Sequence, residues 1–367
     1  MKIWANRQDY SSIGAKYEAL DGLRGVAILM IIQYHIFSFP ALSRFTWIGV
    51  DLFFVLSGFL ITRILLHTRV SPQFFRNFYM RRILRIMPVY YLSFFLLIYV
   101  CPRLFTYPVS IVYFFNNQVW FWFEIQNWLF IFKTDGNNNF LNHLWSLGLE
   151  EQFYLISPLL IFLIKDLQKI LFFLLLLVFL LTVTRVVLWQ MQFENFSYVY
   201  LFSFTRVDGL CAGSFLAVMR FNPELVVSKT NKAFAIFLGI IILLVLPIWK
   251  FILPHNIPLL ACSIFPLIAA FGGLVVAGAI KSGSLIFSIL TQPVLKFFGR
   301  ISYGLYIFHW PVYVLLSGGR PIPIGQMGFE GTELLKSIVS TLLAIVLATI
   351  SYFGFEQYFL KLKKYFS

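Results

Sequence analysis

The chain has 367 residues, of which 60% are hydrophobic and 12% charged, where a typical soluble domain has about a quarter of its residues charged. That balance excludes an ordinary water-soluble domain, a disordered chain and a disulfide scaffold, and it fits a polytopic membrane protein. The net charge of +14 calls for no nucleic acid, because Lys and Arg in such a chain belong in loops beside anionic lipid.

Residues 1–16 are polar and lack a short apolar region followed by a cleavage site. No removable leader is expected, and the first apolar stretch stays as a span. Crossing about 30 Å of hydrocarbon at about 1.5 Å per helical residue takes about 20 residues. Stretches of that kind lie near 20–40, 46–66, 87–105, 150–164, 170–190, 199–219, 233–252, 257–279, 300–317 and 334–355. The fourth is short and is allowed an earlier start. The segment 108–132 is aromatic but interrupted by Asn116, Asn117, Glu124, Gln126 and Asn127. It is either an eleventh crossing or a piece lying in, or re-entering, the membrane.

Loop charge decides between them. With ten spans and both ends inside, 21 of the Lys and Arg residues fall on the inner side. The outer side then holds only Arg44, Arg103, Lys133, Lys250, Arg320 and Lys336, while Arg185 and Arg206 sit within spans. An eleventh crossing would invert everything after it and put Lys229, Lys232 and the Lys361–Lys364 tail outside, against the positive-inside rule. The expectation is therefore an all-α polytopic membrane protein with about ten transmembrane helices and both termini cytoplasmic. It is read as one membrane domain over 1–367, with cytoplasmic ends at 1–19 and 356–367. There is no internal repeat, and the matched interrupted helices of an inverted-repeat transporter are not evident. Cys101, Cys211 and Cys262 have no metal-like or disulfide spacing and are read as small buried hydrophobes, with no metal expected.

Ionisable groups inside spans are costly and default to functional candidates. Asp21, Arg24 and His35 share the first span. Eleven residues at about 100° each bring Arg24 and His35 to one face, about 16 Å apart along the axis. A cation at the mouth and an imidazole deeper down fit a reaction channel; a snorkelling Arg and a hydrogen-bonded core His fit a structural role. His143, Trp145, Ser146, Glu150 and Glu151 run straight into an apolar helix. His143 and Glu150 are seven apart, close to two turns, so one face can hold both; Ser146 as an N-cap is the structural alternative. The inner loop Arg76–Arg85 is dense enough in arginine for phosphate contacts, though inner loops are basic in any case. Arg206 and Asp208 place opposite charges within the sixth span, as a site or a structural ion pair. Ser302, Tyr303 and a second deep histidine, His309, lie in the ninth, with Tyr306 and His309 on one face. Asp51 is an interface cap or a site residue.

Six of these segments together resemble the acyltransferase-3 family of membrane acyltransferases. They are LDGLRGVAILMIIQYH from Leu20, IGVDLFFVLSGFLIT from Ile48 and RRILRIMPVYY from Arg81, then NHLWSLGLEEQFYL from Asn142, TRVDGLCAGSFLA from Thr205 and GRISYGLYIFHWPV from Gly299. They occur in family order and cover most of the chain. The resemblance implies transfer of an acyl group, commonly acetyl, from cytoplasmic acyl-CoA to a hydroxyl on a saccharide or related acceptor. In bacteria such acceptors include lipopolysaccharide O-antigen, exopolysaccharide and peptidoglycan, and the resemblance places the chain in the bacterial cytoplasmic (inner) membrane. The family's basic residue separated by ten positions from a histidine corresponds to Arg24 and His35. Its paired cytoplasmic arginines correspond to Arg82 and Arg85, and its acidic position to Glu150, with Glu151 beside it. The esterase-like domain appended in larger members is expected to be absent.

The expected chemistry has Arg82 and Arg85 holding the donor's phosphates and Arg24 lying along its arm. His35 acts as general base or as covalent acyl carrier. Glu150 orients the imidazole or binds the acceptor, and Trp145 and Tyr303 supply contacts. Acyl-CoA is a co-substrate and no bound cofactor is expected; the partners are the bilayer and a glycan acceptor. The competing readings are a transporter or flippase of a lipid-linked glycan, and a membrane scaffold. Acceptor identity depends on pocket shape, which loops such as 318–332 are expected to set.

Overall fold

The computed structural model describes residues 17–37, 39–104, 111–133, 140–190, 196–222, 258–317 and 331–366, and all regular structure among them is helical. Helix α1 (Glu18–Ile32) runs into a π turn (Gln33–Phe37), then α2 (Pro40–Thr46) and α3 (Gly49–Thr68). Helix α4 (Phe74–Phe95) continues through a second π turn (Leu96–Val100) into α5 (Cys101–Leu104). Three short helices follow: α6 (Ile111–Asn116), α7 (Gln118–Trp122) and α8 (Gln126–Phe132). A 3₁₀ turn (Asn142–Leu144) opens α9 (Trp145–Leu163), and α10 (Leu167–Gln190) follows. Beyond it lie α11 (Phe196–Leu201), α12 (Ser203–Arg206), α13 (Asp208–Phe221), α14 (Pro258–Ala279), α15 (Leu285–Leu290) and α16 (Pro293–Leu316). Helix α17 (Gly331–Ser351) passes through a third π turn (Tyr352–Glu356) into α18 (Gln357–Leu362).

Six of the described helices are long and apolar enough to cross a membrane: Glu18–Phe37, Gly49–Thr68, Phe74–Arg103, Asn142–Leu163, Leu167–Leu188 and Glu333–Phe366. They coincide with six of the ten expected spans, and the fourth does start earlier. The expected spans 257–279 and 300–317 are helical, in α14 and α16. The expected span 233–252 lies outside the described residues. The expected span 199–219 is not one helix, because the winding breaks at Phe202 and Val207. Segment 111–132 is three pieces of five to seven residues, each far short of the length needed to cross.

The arginine-rich segment is also not a loop. Arg81, Arg82 and Arg85 sit on α4, since arginine is a good helix former and Phe78, Ile86, Val89 and Tyr90 give the helix a buried face. Arg82 and Arg85, three apart, therefore share a face. Helix α17 turns Leu335, Leu342, Val346 and Ile350 outward, and α9 does the same with Leu155, Leu159 and Leu163. Such faces suit hydrocarbon as solvent and not water. Cys211 is buried as expected, whereas Cys101 is half-buried.

Two helix pairs form the frame, and both close through glycine. In a bilayer, apolar side chains gain little by leaving lipid, so close backbone approach through small residues carries the association. Helices α1 and α16 meet where a Cβ on Gly299 would overlap the Asp21 carbonyl and one on Gly25 would overlap that of Leu295. Helices α3 and α13 meet the same way, Gly58 against the Leu210 carbonyl and Gly213 against that of Val55. Between the pairs lies a core of Ile28, Ile32, Phe54, Leu149, Leu210, Ile301 and Leu305. Trp145 and Tyr306 belong to this core, the His309 ring lies 5.7 Å from that of Tyr306, and His35 stacks on His309.

Candidate active site

One cavity, of about 90 Å³, is lined by Arg24 from α1, Ser57 from α3, Arg82 and Arg85 from α4, Ser146, Glu150, Glu151 and Tyr154 from α9, and Ser302, Tyr303 and Tyr306 from α16. Arg24 donates to Asp21 at 2.7 Å. Arg82 and Arg85 form no salt bridge among the described residues, and the buried Nε of Arg82 has no hydrogen-bond partner. The Arg82 guanidinium lies 6.0 Å from the Tyr154 ring. Glu150 accepts from Ser57 at 3.1 Å and from Tyr154 at 2.8 Å. Tyr303 donates to the Ile86 carbonyl at 2.9 Å, pinning α4 to α16, and Ser302 bonds back to the Gly299 carbonyl at 2.9 Å. Guanidinium donors left unspent at a cavity wall are suited to an anion with several oxygens.

A second cavity, of about 210 Å³, is lined by His35, Phe130, Asn142, His143, Trp145 and Leu201. Here the hydrogen bonds fix the protons. Carbonyl oxygens only accept, so His309 Nδ1 carries the hydrogen that reaches the Tyr306 carbonyl at 2.7 Å and the Leu305 carbonyl at 3.1 Å. A neutral His309 then has its lone pair on Nε2. That nitrogen lies 2.9 Å from His35 Nδ1, which must be the donor. His35 is left with a lone pair on Nε2, a ring tautomer set two bonds away by a backbone carbonyl. The two rings lie nearly parallel, 5.2 Å between centroids.

Tyr306 stands between the cavities. Its hydroxyl donates to the His143 carbonyl and meets Ser146 Oγ at 2.7 Å. Ser146 faces the arginine cavity, while His143 and Trp145, on the neighbouring turn, face the histidine cavity.

Several sequence-based expectations change at this point. Arg24 and His35 line different cavities. The uniform winding that aligned them holds only to Ile32, beyond which the π turn alters the rotation per residue. His143 and Glu150 part in the same way, because His143 lies in a 3₁₀ turn before α9 begins. Glu150 bonds Ser57 and Tyr154, and the partner of the imidazole is His309. Ser146 is no N-cap, since α9 starts at Trp145 with Leu144 at its cap position. Arg206 and Asp208 do not pair with each other. Arg206 makes a bidentate bond to Asp51 at 2.5 and 2.9 Å, and Asp208 one to Arg185 at 2.7 and 3.0 Å. Both pairs are almost wholly buried, which gives them the character of struts. Sequence reasoning left Ser57 and Tyr154 unassigned. Tyr154 was within reach, being one helical turn from Glu150; a lone Ser in an apolar helix carries no such signal.

Comparison with known proteins now bears on the arrangement. Over 318 residues the chain is 31% identical to a Listeria monocytogenes protein named peptidoglycan O-acetyltransferase OatA, covering 81% of this chain and 49% of the relative. A Bacillus subtilis protein named putative peptidoglycan O-acetyltransferase YrhL is 29% identical over 364 residues, covering 92% and 54%. A Staphylococcus aureus protein named O-acetyltransferase OatA is 29% identical over 354 residues, covering 91% and 55%. The chain thus spans about half the length of these curated relatives. No solved structure matches it. The model of a family described as an acyltransferase domain matches residues 17–354, a span that takes in every residue of both cavities. The chain belongs to this family, the acyltransferase-3 family of membrane proteins.

Proposed function

We propose that the chain is an integral membrane O-acyltransferase that moves an acetyl group from acetyl-CoA to a hydroxyl of a cell-wall saccharide, with peptidoglycan as the acceptor class. The acetyl group and the acceptor class come from the names its relatives carry. The observation that carries the reading is the histidine pair, in which His309 leaves His35 Nε2 unprotonated on the wall of an open cavity.

The arginine cavity takes the donor. Arg82 and Arg85 hold its phosphates by charge-assisted hydrogen bonds, and Arg24 lies along the way to the thioester. This end faces the cytoplasm, where the basic excess of the loops also belongs. The acceptor enters the histidine cavity and presents a hydroxyl to His35 Nε2. Nε2 takes the hydroxyl proton as the oxygen attacks the thioester carbon. The C–S bond then breaks, and the proton passes to the departing thiolate to give free CoA. His309 holds the imidazole in the productive tautomer throughout. Tyr306 and Ser146, set between the cavities, mark where the acyl carbon crosses from one to the other. Glu150, Ser57 and Tyr154 stiffen the donor side.

The test uses purified protein with labelled acetyl-CoA and cell-wall glycan fragments. The expected result is labelled ester from the wild type and a loss of about 10²–10⁴-fold in His35→Ala, the usual worth of a general base. Full transfer by a folded His35→Ala protein would overturn the assignment. No ester from the wild type would return the chain to the glycan-transport reading.

A further inference from the structure

The histidine cavity holds a third imidazole that the transfer step above does not use. His143 is 4% exposed, its ring centroid 5.2 Å from that of His309 and nearly perpendicular to it. Its Nε2 lies 3.3 Å from the Ile307 carbonyl. That carbonyl belongs to an α-helix, and its normal donor would be the N–H four residues on, which is Pro311. Proline has no N–H, so the helix leaves the Ile307 oxygen unpaired and His143 supplies the missing hydrogen. An oxygen that only accepts forces the proton onto Nε2. His143 Nδ1 therefore carries a lone pair, and it has no hydrogen-bond partner among the described residues. A buried acceptor without a donor is costly to keep, and this one belongs to a ring on the wall of the cavity that His35 opens into.

We propose that His143 is the acceptor's second point of attachment: its Nδ1 takes a hydrogen bond from a hydroxyl or amide N–H neighbouring the hydroxyl that His35 deprotonates. The inference rests on His35 as the base of an acyl transfer and adds what that role does not demand. The ligand class is a polyfunctional acceptor, a saccharide carrying a donor group beside the reacting oxygen. A simple alcohol or a deoxy sugar offers His35 a proton but leaves His143 unpaired. Sites built to hydrogen-bond a substrate donor discriminate strongly against analogues that lack it, because their own buried group then stays unsatisfied.

Two substitutions separate this role from the structural bond to Ile307. Gln reaches the position of Nε2 and keeps an N–H for the Ile307 carbonyl, but puts no acceptor at Nδ1. Asn places its carbonyl oxygen near Nδ1. The probes are a soluble cell-wall saccharide and its analogue lacking the neighbouring hydroxyl, each assayed with labelled acetyl-CoA. In the wild type kcat/KM for the full saccharide is expected to exceed that for the analogue by about tenfold or more. In His143→Gln that ratio falls toward one, mainly through a higher KM for the full saccharide, while KM for acetyl-CoA is unchanged. His143→Asn keeps part of the preference. An active wild type with an unchanged ratio in a folded His143→Gln protein would overturn this inference and leave His35 untouched. A wild type inactive on both probes would overturn the base assignment with it.

Discussion

Glu124 has a backbone φ of +54°, a left-handed conformation uncommon for any residue with a full side chain. It is 3% exposed, and neither carboxylate oxygen has a hydrogen-bond partner among the described residues. It stands between α7 and α8, outside the spans, and burial pushes its pKa up to about 8. An acid whose folded pKa is raised adds stability below its unfolded value of about 4.5 and loses it as pH climbs through the folded value. The melting temperature in detergent should therefore drop between about pH 5 and pH 9. Glu124→Gln should flatten that drop; an identical slope in the variant would remove Glu124 as its cause.

The buried ion pairs belong to the same scale. Arg206 is 0% and Asp51 1% exposed, and the guanidinium lies 4.0 Å from the Phe265 ring centroid and 5.0 Å from that of Tyr200. Removing one member of such a pair leaves a stranded charge, at a cost of about 3–5 kcal/mol. Asp51→Ala should thus lower the unfolding free energy by about that amount, measured by denaturant titration in mixed micelles. Less than about 1 kcal/mol would mean the pair is not a strut. Each of these charges was visible in the sequence as an anomaly in an apolar run. Their partners were not, because 155 residues separate Asp51, on α3, from Arg206, at the end of α12, and only the tertiary fold brings them together.

Among the elements, the glycine contacts carry the clearest prediction. Gly299→Ala would drive a methyl group into the Asp21 backbone, and backbone has no rotamer to yield. Overpacking commonly costs about 1–3 kcal/mol, and here the frame pair α1–α16 should separate. Gly273→Ala on α14 is the control, since no atom of the described residues lies within 4 Å of the added carbon. It should be neutral or stabilising by up to about 1 kcal/mol, because Ala is the better helix former. Equal loss of stability in both variants would deny the backbone contact its role.

Helix positions were largely legible from apolar length, which matches six described spans. The winding within them was not. The π turn at Gln33–Phe37 leaves no mark in composition, yet it decides where His35 points. The break before α13 has no proline at its joints. It follows from tertiary pairing: Arg185 takes the Thr205 carbonyl at 2.5 Å as well as the Asp208 carboxylate, while Arg206 is drawn to Asp51. The site was legible as a set of residue types and not as an arrangement. His309 stood out as a deep histidine, but its hold on His35 crosses 274 residues of chain.

Under the proposed function, charge and lone pairs are ordered across the membrane, from the donor side to the acceptor side. The cationic cavity is lined by guanidiniums, at Arg82 and Arg85, without salt-bridge partners among the described residues, and the histidine cavity by two imidazole lone pairs. Tyr306 and Ser146 stand between them. If the arginines hold the donor, Arg82→Ala and Arg85→Ala should each raise KM for acetyl-CoA by about tenfold, as loss of a charge-assisted bond of about 1.5 kcal/mol implies, and leave KM for the saccharide alone. The most direct measurement places the two substrates on opposite sides. Protein is reconstituted into sealed vesicles of known orientation, with labelled acetyl-CoA on one side and a soluble cell-wall saccharide on the other. Labelled ester is expected only when acetyl-CoA meets the arginine end, and it is lost in His35→Ala. Ester formed equally with acetyl-CoA at the histidine end would contradict the proposed function.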